Sequence, residues 1–231
     1  MDSVTTEGLS IRRGDIPVLE HVDIRVGNGE FVAVVGKSGS GKTSFLHALA
    51  GLIPFSGRVD IPGRKGMVFQ HYAVFPWLTV SQNITFGLDG LDEKRKSEIL
   101  DEHLKLARLQ DKRDAYPAEL SGGQIQRVAL ARSLAPDPDV LLMDEPYGAL
   151  DAYTRDQMQG WLLDVWTKRR KTVIFVTHDI EEAIFLADRV FVLRDRVFAE
   201  EFPVRFERPR DGGLKFSGSF NALKSAVLKA L

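Results

Sequence analysis

The chain has no cysteine. That excludes disulfides, thiolate metal sites, iron–sulfur clusters and thiol nucleophiles. No apolar run approaches the ~20 residues that span a bilayer. The opening "MDSVTTEGLSIRR" lacks the apolar stretch of a secretory signal. Charge is also nearly absent in sum, since 31 Lys and Arg against 32 Asp and Glu leave −1. Such a surface has no global field to recruit nucleic acid or an anionic membrane. Internal repeats, low-complexity tracts and long linkers are missing too. What is there is ordinary for a soluble globular protein, with 44% hydrophobic and 27% charged residues in 231. That length suits one domain with a subdomain, and the expectation is a cytoplasmic protein.

Short apolar runs alternate with helical spacing. "FVAVV" (31–35), "GMVF" (66–69), "VLLM" (140–143), "VIFV" (173–176) and "VFVL" (190–193) predict strands buried on both faces. Met158, Trp161, Leu162, Val165 and Trp166 form one apolar stripe at helical spacing, which reads as core packing. Strands alternating with helices predict a mostly parallel α/β sheet. The first 30 residues, with "PVLEHVDIRV", suit antiparallel strands instead. From about 88 to 132 the chain is charged and helical, with Ile99, Leu100, Leu104 and Ala107 as its apolar side. This predicts a helical subdomain inserted between core segments 1–87 and 133–231. After "VFVL", Leu223, Val227 and Leu228 predict a closing helix and no appended regulatory domain.

"FVAVVGKSGSGKTSFLHALAGL" carries Gly36, Gly41, Lys42 and Thr43 in the G-x-x-x-x-G-K-[ST] arrangement, after a strand and before a helix. There the backbone of Gly36, Lys37, Ser38, Gly39, Ser40 and Gly41 wraps the β- and γ-phosphates of a nucleoside triphosphate. Lys42 neutralises them, the Thr43 hydroxyl takes a Mg²⁺ position and Ser44 follows on the helix. "DVLLMDE" brings Asp144 and Glu145 to the carboxyl end of a strand, where α/β sheets bind ligands. Asp144 is expected to hold Mg²⁺ and Glu145 to orient or deprotonate the attacking water. His178 in "VIFVTHDIEEA" and Gln70 in "GMVFQ" end two further strands on that edge, His178 within reach of a γ-phosphate. Asp179 and Glu182 read as an N-cap and capping-box pair rather than metal ligands. His21, His47, His71 and His103 read as surface or packing residues.

"LSGGQIQRVALAR" (120–132) poses a puzzle, because a Ser-Gly-Gly turn before a helix is a second anion site far from the first. The set "GKSGSGKT", Gln70, "LSGGQ", "VLLMDEP", "GALD" and His178, in that order, resembles the ATP-binding cassette (ABC) ATPases over nearly the whole chain. The resemblance implies a P-loop NTPase core with a mostly parallel sheet, an N-terminal antiparallel part and an inserted helical subdomain. It implies that two cassettes, identical or paired, meet head to tail around two ATP and Mg²⁺. Ser121, Gly122, Gly123 and Gln124 then cap the nucleotide held by the other chain, and Asp151 crosses the interface. It assigns Gln70 both to Mg²⁺ and to catalysis, beside Glu145 and His178. Arg13 falls where the family presents an aromatic residue against adenine, and a guanidinium also stacks on a purine.

With one cassette, no heptad arm and no basic patch, a transporter subunit is favoured over a soluble mechanical ATPase. A GTP-dependent switch would need an N-K-x-D motif, and none occurs. The expected partners are integral membrane permease subunits and, indirectly, a solute-binding protein, with no nucleic acid. The expected place is the cytoplasmic face of the membrane, held peripherally. "MVFQHYAVFPWLTVSQNITFGL" is where the family docks its membrane partner, and its aromatics Tyr72, Phe75 and Trp77 read equally as docking residues or as local packing. "THDIEEAIFLADRV" is similar to bacterial importers, and "FPWLTVSQNITFGL" and "DEPYGALDAYTR" resemble their nitrate/sulfonate/taurine branch.

Overall fold

The computed structural model describes residues 2–70, 73–148 and 150–231, so Tyr72 and His71 lie outside the described residues. Two antiparallel strands, β1 (Asp2–Arg13) and β2 (Ile16–Gly27), begin the chain. With β4 (Ser56–Asp60) they form a three-stranded sheet in the order β2-β1-β4. The second sheet has six strands in the order β5-β6-β7-β3-β8-β9. Its members are β3 (Phe31–Val35), β5 (Lys65–Val68), β6 (Val140–Asp144), β7 (Thr172–Thr177), β8 (Arg189–Arg194) and β9 (Val197–Pro203). Only β9 runs antiparallel to its neighbour. The expected α/β class with an antiparallel start is therefore observed.

The alternation within each central strand splits the core in two. Phe31, Ala33, Val35, Leu141, Met143, Val173 and Phe175 face one side. Val32, Val34, Val140, Leu142, Ile174 and Val176 face the other, against α1 (Lys42–Ala50) and the small sheet. That is why these runs read as apolar at every position. Helix α5 (Ala152–Arg169) buries Met158, Trp161, Leu162, Val165 and Trp166, the predicted stripe. Between β5 and β6 the chain is helical, with α2 (Val80–Thr85), α3 (Glu93–Ala107) and α4 (Gly122–Leu134). The helical stretch thus starts at Val80, where Thr79 and Gln82 form a capping box.

Helix α6 (Ile180–Leu186) is short, and the C-terminal segment grips it at both ends. The Arg210 guanidinium donates to the carbonyls of Ile184, Phe185 and Ala187 at 2.8–3.1 Å, and Arg208 donates to Leu186 O. Lys215 and Lys224 reach Glu181 at 3.5 and 2.9 Å from the first turn. The closing helix α7 (Gly218–Ala230) buries Phe220 and Val227. The expected closing helix is thus observed, with Leu228 61% exposed because the buried face of α7 runs through Phe220 and Val227.

Candidate active site

The parallel register aligns four strand ends along one edge. Val35 pairs with Thr177, Asp144 with Val176, and Val68 with Met143. From that edge emerge the loop at Gly36, the acids 144 and 145, His178 and Gln70. Gly36 could carry no side chain, since a Cβ there would lie 2.5 Å from Ser40 Oγ and 2.7 Å from Leu193 O. Gly41 has φ 105°, which favours glycine, and it caps α1. The loop is thereby drawn tightly around its own backbone. Lys42 Nζ donates to the carbonyls of Gly36 (2.9 Å) and Lys37 (3.1 Å) and lies 3.8 Å from Glu145 Oε1. Burial lowers the Lys42 pKa, while Glu145 and Asp144 hold it up. The ammonium therefore faces the cleft as a partly desolvated cation.

Thr43 Oγ1 donates to Asp144 Oδ1 at 3.0 Å. Burial pushes the Asp144 carboxyl up, and the Thr43 bond pulls it back. A hydroxyl and a carboxylate side by side are the all-oxygen donors a hard divalent cation takes. Glu145 has φ 39°, a left-handed conformation rare for this residue type. Its N–H is fixed to Val176 O at 2.9 Å, so the strain is held by the neighbouring strand. Glu145 Oε2 meets His178 Nδ1 at 2.9 Å, and the His178 side chain is otherwise solvent-exposed.

A cleft of about 340 Å³ lies above the loop, lined by Ser38, Gly39, Gly41, Lys42, Thr43 and Ser44 with Gln70, Glu145, Val18 and Arg13. Ser40 Oγ is buried without a partner in the same loop. A basic, backbone-lined cleft with an unpaired buried hydroxyl fits a polyphosphate. The Ser121–Gln124 turn and Asp151 do not line it. Ser121 caps α4, its Oγ accepting from Gln124 N while Gln124 Oε1 accepts from Ser121 N. The Gln124 side chain thus completes a capping box at the helix start. Gly123 is buried against α5, where a Cβ would lie 2.9 Å from Thr154 Cγ2. Asp151 caps α5, its carboxylate accepting from Thr154 N and Oγ1.

Residues 19–148 match the family model described as "ABC transporter". The chain belongs to that family. Among its relatives, the nitrate import ATP-binding protein of Synechocystis sp. is 46% identical over 196 residues, covering 80% of this chain and 74% of the relative. The aliphatic sulfonates import ATP-binding protein of Bacillus subtilis is 41% identical over 222 residues, covering 91% and 86%. A solved dimeric structure of the cassette MJ0796, bound to ADP and Pi, superposes with TM-score 0.76 at 31% identity over 88% of this chain and all of the other. CbiO1 from Clostridium perfringens shares the fold, with TM-score 0.83 at 24% identity over 98% of this chain and 95% of the other.

This ABC protein is an ATPase, and its cleft is the candidate site for ATP. Sequence reasoning missed three features around it. Val18 underlies the loop, with its side chain 3.2 Å from where a Gly41 Cβ would be. Asn83, fully buried, shapes the aromatic segment by accepting from Phe75 N and donating to the carbonyls of Phe75, Leu78 and Thr79. Glu182 does not close a capping box with Asp179. The Thr177 hydroxyl donates to Glu182 Oε2 at 2.8 Å and accepts the Asp179 N–H, which takes the place of that box.

Arg13, at the end of β1, reaches the cleft beside Ser38 and Gly39. Replacing it by Tyr supplies a ring for the adenine face and is expected to tighten ATP binding by about 0.5–1 kcal/mol, measured by calorimetry. Unchanged affinity in Arg13→Ala would make Arg13 a bystander.

Proposed function

We propose that this chain is the ATP-hydrolysing subunit of an importer for small oxyanions, acting as a head-to-tail pair of cassettes on separate membrane subunits. The observation that carries the pairing is the separation of two anion sites on one chain. The cleft is lined by Lys42, Thr43 and Glu145, with His178 hydrogen-bonded to Glu145 beside it, while the Ser121 turn takes no part in lining it. Each turn then faces the cleft of the other chain, beside the exposed Asp151. The dimeric state of the related cassette supports this arrangement. The oxyanion class rests on likeness to the nitrate and sulfonate relatives.

In this reading Gly36–Ser44 hold the phosphates, with Lys42 as their fixed positive charge. Thr43, Asp144 and Gln70 would hold Mg²⁺, which draws charge from the phosphoryl oxygens when bound. Glu145 accepts the proton of the attacking water. His178, hydrogen-bonded to Glu145, donates toward the γ-phosphate and keeps that carboxylate in line.

A second surface supports the membrane contact. Phe75 packs on Phe86 with ring centroids 4.4 Å apart and on Trp77 at 5.5 Å, and Arg132 covers the Phe75 ring. Trp77 is 69% exposed. A groove of about 620 Å³ runs beside them between Phe69, Leu91 and Arg132, suited to a cytoplasmic helix of the membrane subunit. No helix of the described residues is itself long and apolar enough to cross a membrane. The expected location is peripheral, on the cytoplasmic face.

Lys42→Ala tests the core of the reading. It is expected to weaken ATP binding at least about a hundredfold, since a charge-assisted contact of about 1.5–3 kcal/mol to each phosphate is lost. Equilibrium binding of a fluorescent ATP analogue reads it, and unchanged affinity would remove Lys42 from the site.

A further inference from the structure

Arg155 lies in the first turn of α5, four residues after Asp151, and bridges the loop before α5 to the acidic pair Asp179 and Glu182. Its Nη2 donates to Leu150 O at 2.9 Å, beside Asp151 in the loop that caps α5. Its Nη1 lies 3.7 Å from Asp179 Oδ2, and its Nε lies 3.6 Å from Glu182 Oε1. The Glu182 side chain is only 6% exposed, and its other oxygen is bonded to Thr177. Thr177 Oγ1 in turn accepts the Asp179 N–H. The residues on either side of His178 are therefore both tied, directly or through Glu182, to one guanidinium. Glu145, Gly148, Arg155, Thr177, His178 and Glu182 enclose a single small void at this junction.

We propose that Arg155 is a positioning residue for His178, coupling the Asp151 loop to the segment that sets His178 against Glu145. The proposal rests on the roles given above to His178 and Asp151. A contact made by a partner at Asp151 then reaches His178 through one side chain that is hydrogen-bonded to the loop at Leu150 O and ion-paired with Asp179 and Glu182. Lysine has no fork to hold these ties together. Burial already pushes the Glu182 carboxyl up to about 7, against the pull of Thr177, Arg155 and His178. Without Arg155 this carboxylate loses its nearest cation in a place where an uncompensated charge is costly.

The test is a double-mutant cycle on ATP hydrolysis by the purified protein. Arg155→Ala is expected to lower kcat about tenfold or more with the KM for ATP changed less than about twofold, because the bond to Leu150 O and the ion pairs with Asp179 and Glu182 are lost together. In a His178→Ala background the same change should cost less than about twofold. Arg155→Lys, which keeps a cation beside Glu182, should show the same pattern and carries the test if Arg155→Ala does not fold. Equal losses in both backgrounds, a changed KM with kcat intact, or full turnover in Arg155→Lys would each overturn the coupling. Full turnover in His178→Ala alone would instead remove the role of His178, and with it the basis of the coupling.

Discussion

Glu145→Gln leaves ATP binding intact and lowers turnover by about a thousandfold, within the range general bases contribute. The substitution changes almost nothing in shape. The amide can satisfy His178 Nδ1, now 2.9 Å from Oε2, with either its oxygen or its nitrogen. The left-handed backbone at position 145 and its N–H bond to Val176 are untouched. What vanishes is the basicity of the group nearest Lys42 on the acidic side of the cleft. Binding depends on Lys42 and the loop amides, so ATP stays and accumulates. The variant should gather as an ATP-bound dimer, seen as a doubled mass by light scattering with ATP and absent with ADP. Turnover close to wild type in single-turnover assays would strike Glu145 from its role.

Gly122→Asp should abolish ATP-dependent dimerisation and reduce hydrolysis by at least about a hundredfold, while the monomer binds ATP as before. Gly122 is exposed at the first position of α4, where the first-turn N–H groups have no helical partner. A carboxylate here favours the helix by about 0.3–1 kcal/mol through the dipole, so the fold gains rather than suffers. The added Cβ would touch Leu150 Cδ2 at 3.3 Å, which a small side-chain shift relieves. A phosphate facing the same turn meets a like charge, worth about 1–4 kcal/mol per charge pair at 4 Å depending on exposure. One substitution thus separates folding from nucleotide capping. Mixing Gly122→Asp with Lys42→Ala chains leaves one composite site intact per mixed dimer, and partial recovery of hydrolysis is expected. Loss of ATP binding by isolated, monomeric Gly122→Asp protein would mean that the turn serves its own cleft, and the two-chain reading would fall.

The parts of the site that were legible in the amino-acid order are those where chemistry coincides with a buried parallel strand. β3, β6 and β7 are apolar on both faces because both faces are core, so each announces its polar carboxyl end. Position 144 and its bond to Thr43 follow from that geometry. β4 and β9 were not legible, since "SGRVD" and "VFAEEFP" are largely exposed and held by pairing rather than by burial. α2 carried its signal in Thr79 and Gln82, but its six residues are too few to show a helical period. The separate duties of Glu182 and Asp179 were hidden for another reason. Local spacing suggests that the two pair with each other, whereas the Thr177 hydroxyl takes Glu182 Oε2 at 2.8 Å and leaves Asp179 to cap α6 alone. The Gln124 capping box shows the reverse, a helix-start signal carried inside a motif whose residues also resemble a nucleotide-capping turn.

The grip of the C-terminal segment on α6 makes that helix a shared element. Seven residues are too few for a helix to persist alone in water. Its last carbonyls are satisfied by Arg208 and Arg210, and its first-turn Glu181 by Lys215 and Lys224. α6 and residues 208–224 are therefore expected to open together, as one unit of local unfolding that amide hydrogen exchange would read. Because His178 leads directly into α6, loosening that helix is expected to lower the fraction of molecules with a fully assembled site. Substitutions in the tail, far in sequence from the cleft, are then expected to lower turnover without touching a single group in the cleft.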